Sequence, residues 1–279
     1  MRPINKVFSA EEPQVMAIVN VTDDSFYGAS RTSTGEAIQR RVSSAIEDGV
    51  TLFDVGGYSS RPNALHISLE EEWQRVELGL RNVRSVTSDA VLSVDTFRSE
   101  IVRRAVESFG EIVVNDISAG EQDDAMIEVV ARYNLPYVAM HMRGTPQTMQ
   151  TFTSYEKDIT SEVCDYFVAK CNEWQQQGVK NIILDAGFGF AKSLEQNYEL
   201  LAGLNRLCAM GFPVLVGVSR KSMIYRVLES TPEQALAGTT ALHWEALRQG
   251  ASILRVHDTR EACDVVKIFK QYRSSIKQG

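Results

Sequence analysis

The sequence predicts a single (β/α)8 barrel, the α/β fold known as the TIM barrel, in which eight parallel strands close into a cylinder surrounded by helices. Three observations predict it: near-continuous apolar runs, segments of helical period between them, and a length of 279 residues. Strands that are covered on both faces are apolar along their whole length, not only at alternate positions. A single barrel typically has roughly 250 residues. We therefore expect one domain over residues 1–279, with a short N-terminal extension at about 1–13.

Eight short runs rich in β-branched residues are the predicted strands. In chain order they are VMAIVNV at 15–21, LFDVGG at 52–57, AVLSVDT at 90–96, EIVVNDIS at 111–118, PYVAMHM at 136–142, NIILDAGF at 181–188, PVLVGVS at 213–219 and ASILRVH at 251–257. A segment of helical period follows each of them. This regular alternation favours a closed barrel, because a doubly wound open sheet of this length more often has irregular spacing or a second domain.

Capping signals mark the ends of several predicted helices. Ser68 and Ser193 each precede a Glu or Gln by three residues, and Pro232 follows Thr231 at an expected first helical position. Glycines close four of the helices, at Gly49, Gly178, Gly211 and Gly250.

Composition narrows the class of function. The 29 basic and 36 acidic residues give a formal net charge of −7, which disfavours nucleic acid and anionic membranes as partners. The four cysteines form no CxxC pair, so neither a zinc site nor a disulfide framework is indicated. The N-terminal stretch lacks the apolar core of a signal peptide, and no apolar run approaches the roughly 20 residues that span a bilayer. We expect a soluble cytoplasmic protein that binds small molecules.

Polar residues occupy the end of every predicted strand, where barrels of this kind carry their chemistry. In order they are Asn20, Asp54, Asp95, Asn115 with Asp116, His141 with Arg143, Asp185, Arg220 with Lys221, and Arg255 with His257. We expect one wall of the barrel mouth to be rich in hydrogen-bond acceptors, supplied by Asp95, Asn115 and Asp185. Such a wall suits a flat heterocycle with several N–H donors. We expect another wall of the mouth to be cationic, supplied by Lys221, Arg255 and His257. Such a wall suits phosphate.

The adjacent cations Arg220 and Lys221 require an explanation at the end of a buried strand. The loops after the seventh and eighth strands commonly build the anion site of this fold, so we expect both cations to be accommodated there. The long loops after the first and second strands, NVTDDSFYGASRTST and GGYSSRPNALHIS, have the composition of lids that carry ligand contacts. The GFGF at 187–190 lacks the spacing of a nucleotide-binding loop.

Eight segments in order make the chain resemble the dihydropteroate synthase family, which joins p-aminobenzoate to a dihydropterin in folate biosynthesis. They are NVTxDSF at 20–26, GGYSSRP at 56–62, SVDTFRSE at 93–100, NDIS at 115–118, MHMRGTPQTMQ at 140–150, LDxGFGFAK at 184–192, GVSRKSM at 217–223 and RVHDTRE at 255–261. The resemblance covers the whole predicted barrel and implies a transferase.

The resemblance also implies a role for individual residues. The pterin-binding set is Asp95, Asn115, Met140, Asp185, Lys221 and Arg255. The pyrophosphate-binding set is Asn20, Arg255 and His257, with Mg²⁺ as cofactor bound at Asn20. The p-aminobenzoate-binding set is Phe26, Ser60, Arg61, Pro62, Phe190, Lys221 and Ser222. The residues expected to act in catalysis are Asp95, Asp185, Lys221 and Arg255.

The expected chemistry needs no covalent nucleophile. Pyrophosphate departs from a pterin-stabilised methylene cation, and the neutral aniline nitrogen then attacks. Cations and Mg²⁺ stabilise the departing charge, while Asp95 and Asp185 stabilise the pterin. The family is a sulfonamide target and is commonly dimeric through its last helices. Two interpretations are open for four residues on the last two helices, an apolar face or ordinary packing against the barrel: Trp244, Leu247, Phe269 and Tyr272.

Several positions depart from the family's usual residues. The departures are Asp23 for Pro, Gly28-Ala29-Ser30 for Asp-Gly-Gly, Asn63 for Gly, Ala119 for Gly and Ala186 for Pro. They suggest altered loop closure, because Gly and Pro set backbone freedom. Three alternatives remain: a pterin-binding methyltransferase, a catalytically silent paralogue, and a barrel that handles phosphosugars, which three deep acceptors disfavour.

Overall fold

The computed structural model describes residues 8–21, 35–59 and 66–276. Within these ranges eight parallel strands form a closed barrel in chain order, which confirms the predicted fold class. The strands are β1 Gln14–Asn20, β2 Leu52–Gly56, β3 Val91–Asp95, β4 Val113–Asp116, β5 Pro136–Met140, β6 Asn181–Asp185, β7 Val214–Val216 and β8 Ile253–Val256. The barrel closes where β1 pairs with β8, with Met16 opposite Arg255.

Helices cover the outside of the barrel. They are α1 Gly35–Asp48, α2 Leu69–Val86, α3 Ser99–Phe109, α4 Met126–Tyr133, α5 Ile159–Gln176, α6 Leu194–Ala202, α7 Leu204–Cys208, α8 Ser222–Tyr225, α9 Leu236–Gln249 and α10 Thr259–Ile276. No helix in the described part of the chain is long and apolar enough to cross a membrane.

The capping signals act as predicted at α2 and α6. The Ser68 hydroxyl accepts from the Glu71 amide at 3.1 Å, and Ser193 forms a reciprocal capping box with Gln196. Two boundaries differ from the prediction. Pro232 begins a 3₁₀ turn, and α9 starts only at Leu236. The helix expected after β6 breaks at Gly203, where a Cβ would lie 2.6 Å from the Thr160 hydroxyl.

The barrel interior is apolar at its base and polar at its mouth. Seven inward side chains fill the base: Met16, Leu52, Val113, Val138, Ile183, Leu215 and Ile253. Side chains alternate faces along a strand, so the residue two positions further on points inward as well. On five of these strands that residue is at the mouth, namely Asp54, Asn115, Met140, Asp185 and Arg255. The strand pleat therefore aims these side chains into one cavity.

Residues before β1 close the opposite end of the barrel. Phe8 packs against the base cluster. Arg273 of α10 donates to the Ala10 carbonyl, and Lys270 donates to Glu12. The described part of the predicted N-terminal extension is thus attached to the last helix and to the barrel floor.

Candidate active site

Arg255 joins two carboxylates at the centre of the mouth. Its Nε donates to Asp54 Oδ2 at 2.7 Å, and its Nη2 donates to Asp95 Oδ2 at 2.6 Å. Burial lowers the pKa of Arg255, but the two carboxylates outweigh burial and raise the pKa overall. The predicted separation into an acceptor wall and a cationic wall is therefore wrong, because the guanidinium lies between the acidic side chains.

Asp54 is the mouth residue whose role sequence reasoning missed. It is fully buried and accepts from Asn115 Nδ2 at 2.9 Å and from Ser93 Oγ at 2.5 Å, in addition to Arg255. It therefore sets the position of Asn115 and Arg255 together. Its place at a strand end was visible in the sequence, but the register that brings four strands to one carboxylate was not.

Lys221 and Asp185 lie at the neighbouring side of the mouth. The Lys221 ammonium donates to the Phe188 carbonyl at 2.5 Å and lies 4.8 Å from the centre of the Phe190 ring. Asp185 accepts from the Gly187 amide at 2.8 Å. A Cβ at Gly217 would lie 3.9 Å from Lys221 Nζ and 4.0 Å from Arg255 Cβ, so both cations approach the cavity beside this glycine.

Electrostatic coupling ties these groups into one cluster. Burial raises the pKa of Asp95 to about 7, against the lowering effect of Arg255. Burial also raises the pKa of Asp185, while Lys221 and Gly187 oppose it. The pKa of Lys221 is lowered by burial to about 8, although Asp185 favours its charged form. Such mutually perturbed groups in a cleft are typical of an active site.

An apolar cluster lies beside the charged groups. It consists of Ile117, Met140, Met142, Met149 and Ala191, and Phe190 packs against it. Met140 and Phe190, which were predicted to contact the pterin and p-aminobenzoate respectively, thus share one surface. A flat aromatic ligand would be held by dispersion on this side and by hydrogen bonds on the other.

Arg220, the other cation after β7, pairs with a carboxylate of the protein and not with the anionic ligand that was expected. Arg220 forms a bidentate pair with Asp258, at 2.8 Å from Nε and 2.7 Å from Nη2, and donates to the Pro232 and Glu233 carbonyls. The expectation that Arg220 serves an anion site is wrong, since a protein carboxylate satisfies it. Arg220 also has φ 54, a left-handed conformation that turns the chain so that Lys221 enters the cavity.

His257 lies at the end of β8 as a neutral side chain. Burial and the adjacent Arg255 and Arg41 lower the pKa of His257 to about 3, so it is not the cation that was expected. Ser219 Oγ accepts from the His257 backbone amide at 3.1 Å and lies 3.1 Å from Nδ1. In the tautomer with the proton on Nε2, Nδ1 accepts from the serine hydroxyl and the imidazole presents Nε2–H as a donor.

Arg41 of α1 is another functional candidate that sequence reasoning missed. Its guanidinium donates to the Ile18 carbonyl at 2.9 Å and to the His257 carbonyl at 2.7 Å. It thereby connects β1 with the end of β8, next to Asn20, Arg255 and His257, the three residues predicted to bind pyrophosphate. The sequence gives no signal that an arginine on a helix has this role, because the Ile18 and His257 carbonyls come close to Arg41 only when the barrel closes.

Asn20 ends β1 and supplies an oxygen to the mouth. A Cβ at Gly56 would lie 3.5 Å from Asn20 Oδ1 and 3.6 Å from Asp95 Oδ2, so both oxygens face the same glycine. Within the described residues no group of three or more His, Cys, Asp or Glu side chains could hold a metal. Amide oxygen is a hard ligand that suits Mg²⁺ when phosphate oxygens and water complete the coordination.

A buried ion pair anchors the chain that follows the second long loop. Arg98 donates to Glu72 at 2.7 Å and to the Ile67 carbonyl at 2.9 Å, and Thr96 donates to Glu72 at 2.6 Å. Burial raises the pKa of Glu72, whereas Thr96 and Arg98 lower it. The SVDTFRSE segment thus holds the end of the loop in place.

Other strand-end residues lie outside the cluster. Asp116 accepts from Ser118, Gly120 and Tyr137, and so organises its own loop. Ala119, one of the departures, has φ 53, a conformation that glycine adopts more easily. Several predicted positions lie outside the described residues: Asp23, Phe26, Gly28-Ala29-Ser30, Ser60, Arg61, Pro62 and Asn63.

Comparison with known proteins gives full-length matches. Residues 16–257 match the family described as "Pterin binding enzyme". A dihydropteroate synthase of Haemophilus influenzae is 38% identical over 268 residues, which cover 95% of this chain and 96% of that protein. The Yersinia pestis dihydropteroate synthase solved with a sulfonamide drug complex superposes with a TM-score of 0.89 at 34% identity, covering 95% of this chain and 96% of that one.

A third relative was solved with a product. The Xanthomonas albilineans dihydropteroate synthase in complex with 7,8-dihydropteroate superposes with a TM-score of 0.82 at 34% identity, covering 95% of each chain. The similarity therefore extends over the whole barrel and includes the mouth where the charged cluster lies.

Proposed function

The chain belongs to the dihydropteroate synthase family of pterin-binding enzymes, and from this premise we propose how its barrel mouth performs the reaction. It is a transferase that condenses 6-hydroxymethyl-7,8-dihydropterin pyrophosphate with p-aminobenzoate, giving 7,8-dihydropteroate and pyrophosphate. The reaction breaks the bond between the pterin methylene carbon and the pyrophosphate oxygen. It forms a bond from that carbon to the aniline nitrogen, which loses one proton.

The pterin is held between hydrogen-bond acceptors and an apolar surface. Asp95, Asn115 and Asp185 face the cavity with oxygen atoms that suit the ring's N–H groups. The N–H groups of the pterin replace Arg255 as donors to Asp95, and the guanidinium then packs on one face of the ring. Met140 packs on the other face.

The pyrophosphate is bound where β1 and β8 end. Arg255 supplies charge, and His257 supplies a neutral N–H donor, since its Nδ1 is occupied by Ser219. Asn20 supplies an amide beside them. Donors arranged in advance around the leaving group stabilise the negative charge that develops as the bond to carbon breaks.

Mg²⁺ is the proposed cofactor, and the donor set fits it. Asn20 would hold the ion together with oxygens of the substrate pyrophosphate, since the described residues include no cluster of carboxylates that could hold it by themselves. When bound, the ion supplies positive charge that stabilises the leaving group.

The amine substrate is held against Phe190. The Phe190 ring offers an apolar face and Lys221 lies over that ring. Ser222, at the start of α8, is proposed to bind the carboxylate. The residues Phe26, Ser60, Arg61 and Pro62 are proposed to complete this pocket. The carboxylates Asp95 and Asp185 stabilise the cationic pterin, so the neutral aniline nitrogen attacks without a strong base.

The convergence of Asp95, Asp185, Lys221 and Arg255 in one electrostatically coupled cluster carries this mechanism. The test is a steady-state assay with dihydropterin pyrophosphate, p-aminobenzoate and Mg²⁺. Formation of dihydropteroate, abolished in Lys221→Met, is the expected result. Pterin binding without turnover would instead identify a silent paralogue.

We also propose a cytoplasmic homodimer that binds sulfonamides in the p-aminobenzoate pocket. Of the four residues with two open interpretations, Leu247 and Phe269 are buried in the core, as ordinary packing against the barrel requires. Tyr272 is 46% exposed and lies on α10 in line with Ile268 and Ile276. This apolar stripe, at four-residue spacing on one side of α10, is the surface proposed to meet a second copy.

A further inference from the structure

Lys192 is a buried cation that lies just behind the active-site cluster. Its side chain is almost inaccessible, and its three closest acceptors are the Gly187 carbonyl at 3.0 Å, the Phe190 carbonyl at 3.0 Å and His141 Nδ1 at 3.1 Å. None of these acceptors is a carboxylate. A buried ammonium without a directly bonded counter-ion is costly to stability, so its presence here requires another explanation.

The three acceptors match the three N–H groups of an ammonium ion. Burial lowers the pKa of Lys192 to about 7, and a neutral amine would keep all three bonds by donating to the two carbonyls and accepting from His141 Nδ1–H. His141 is buried, and burial together with Lys192 lowers its pKa well below the usual range, so its ring is neutral. Nζ and Nδ1 thus form a hydrogen bond at 3.1 Å in either protonation state of Lys192, which ties the lysine to His141.

The turn that Lys192 holds carries three of the proposed substrate contacts. Within residues 185–190, the Gly187 amide donates to Asp185 at 2.8 Å, and the Phe188 carbonyl accepts from Lys221. Phe190 is the proposed wall of the p-aminobenzoate pocket. The turn has little free space, because a Cβ at Gly187 would lie 2.0 Å from the His141 carbonyl oxygen.

We propose that Lys192 is a positioning residue for the condensation, which ties the 187–190 turn to His141 so that Phe190 and Lys221 lie where p-aminobenzoate binds. This inference rests on the proposed function. The turn also holds Asp185 and Lys221 of the pterin site, so pterin binding should weaken slightly. The larger effect falls on the second substrate, because Arg255, Asp95 and Asn115 are held by Asp54 and by one another. Displacement of a positioned group by about 1 Å can cost about a hundredfold in rate.

The test compares Lys192→Met with Lys180→Met, which makes the same substitution at an exposed lysine before β6. For Lys192→Met we expect KM for p-aminobenzoate to rise about tenfold and kcat to fall by a similar factor. Calorimetric affinity for the pterin alone should change less than about threefold. Lys180→Met should match the wild type. A Lys192→Met enzyme with unchanged KM for p-aminobenzoate, or with both substrates weakened equally, would overturn the inference.

A second pair of variants keeps the inference testable if Lys192→Met does not fold. His141→Asn keeps an acceptor for Lys192, whereas His141→Leu removes it. We expect the Asn variant to retain the wild-type KM for p-aminobenzoate and the Leu variant to raise it several-fold. Equal behaviour of the two overturns the inference. Absence of turnover in the wild type would instead refute the proposed function, so the two failures are distinguishable.

Discussion

The Nε atom of Arg255 lies 2.7 Å from Oδ2 of Asp54, a residue 201 positions earlier in the chain. This pair joins β8 to β2 across the barrel mouth, and Asp54 is fully buried. The same carboxylate also accepts from Asn115 and Ser93. One side chain whose role the sequence did not indicate therefore organises donors from three other strands.

Replacing Asp54 with Asn should impair both stability and pterin binding. An amide cannot accept from three donors as a carboxylate does, and Arg255 loses one of its two counter-ions. Removal of one partner of a buried ion pair costs about 3–5 kcal/mol, and the amide's remaining acceptor recovers part of that. Urea unfolding measures the free energy, and calorimetry measures pterin affinity. Asp124→Asn, at an exposed carboxylate near the mouth, is the control and should leave both unchanged.

Asp95 should make stability depend on pH in a defined direction. Its folded-state pKa of about 7 lies above the ordinary 3.8, so the folded state holds a proton that the unfolded state releases. The stabilisation from this group is complete below about pH 4 and is lost as pH rises through about 7. Asp95→Asn cannot titrate.

The free energy of unfolding of the wild type minus that of Asp95→Asn should therefore fall between pH 4 and 8, by on the order of 2–4 kcal/mol. Urea unfolding at several pH values measures this difference. A difference that grew with pH would mean that Arg255 outweighs burial. Pterin affinity should rise over the same range, because the charged carboxylate is the better acceptor for ring N–H groups.

Arg41→Met should weaken binding of dihydropterin pyrophosphate selectively. The variant frees the Ile18 and His257 carbonyls, and the ends of β1 and β8 lose their common anchor. Loss of hydrogen bonds from a charged group corresponds to a rise in KM of about tenfold or more. KM for p-aminobenzoate should remain within about twofold. Arg40→Met, at an exposed neighbour on α1, is the matched control; a similar defect there would contradict the assignment.

Ile268→Glu should convert the proposed dimer into monomers. Ile268 is 62% exposed in the apolar stripe of α10, and a carboxylate buried in an interface is strongly unfavourable. Sedimentation velocity measures the change in mass. Val168→Glu, at a 52% exposed apolar residue of α5, should leave the sedimentation coefficient unchanged. A wild type that sediments as a monomer would refute the dimer itself.

Much of the fold and part of the site could be predicted because the relevant signals are local. The eight apolar runs, the N-cap at Ser68, the capping box at Ser193 and the polar strand ends all depend on neighbouring residues. Asp95, Asn115 and Asp185 were predicted together because barrel topology brings strand ends to one face. Arg41 and Lys192 were missed as functional candidates because each acts on backbone carbonyls, which carry no sequence signal.

The sequence by itself determined the alternation of strands and helices and the set of polar groups available at the mouth. It also determined which side chains of each strand point into the barrel, since these recur at every second residue. Only the tertiary structure decided their partners: Arg255 lies between Asp54 and Asp95, Arg220 pairs with Asp258, and His257 is neutral. The reason is that charge pairing and desolvation depend on distances between groups far apart in the chain, which strand register and barrel closure set.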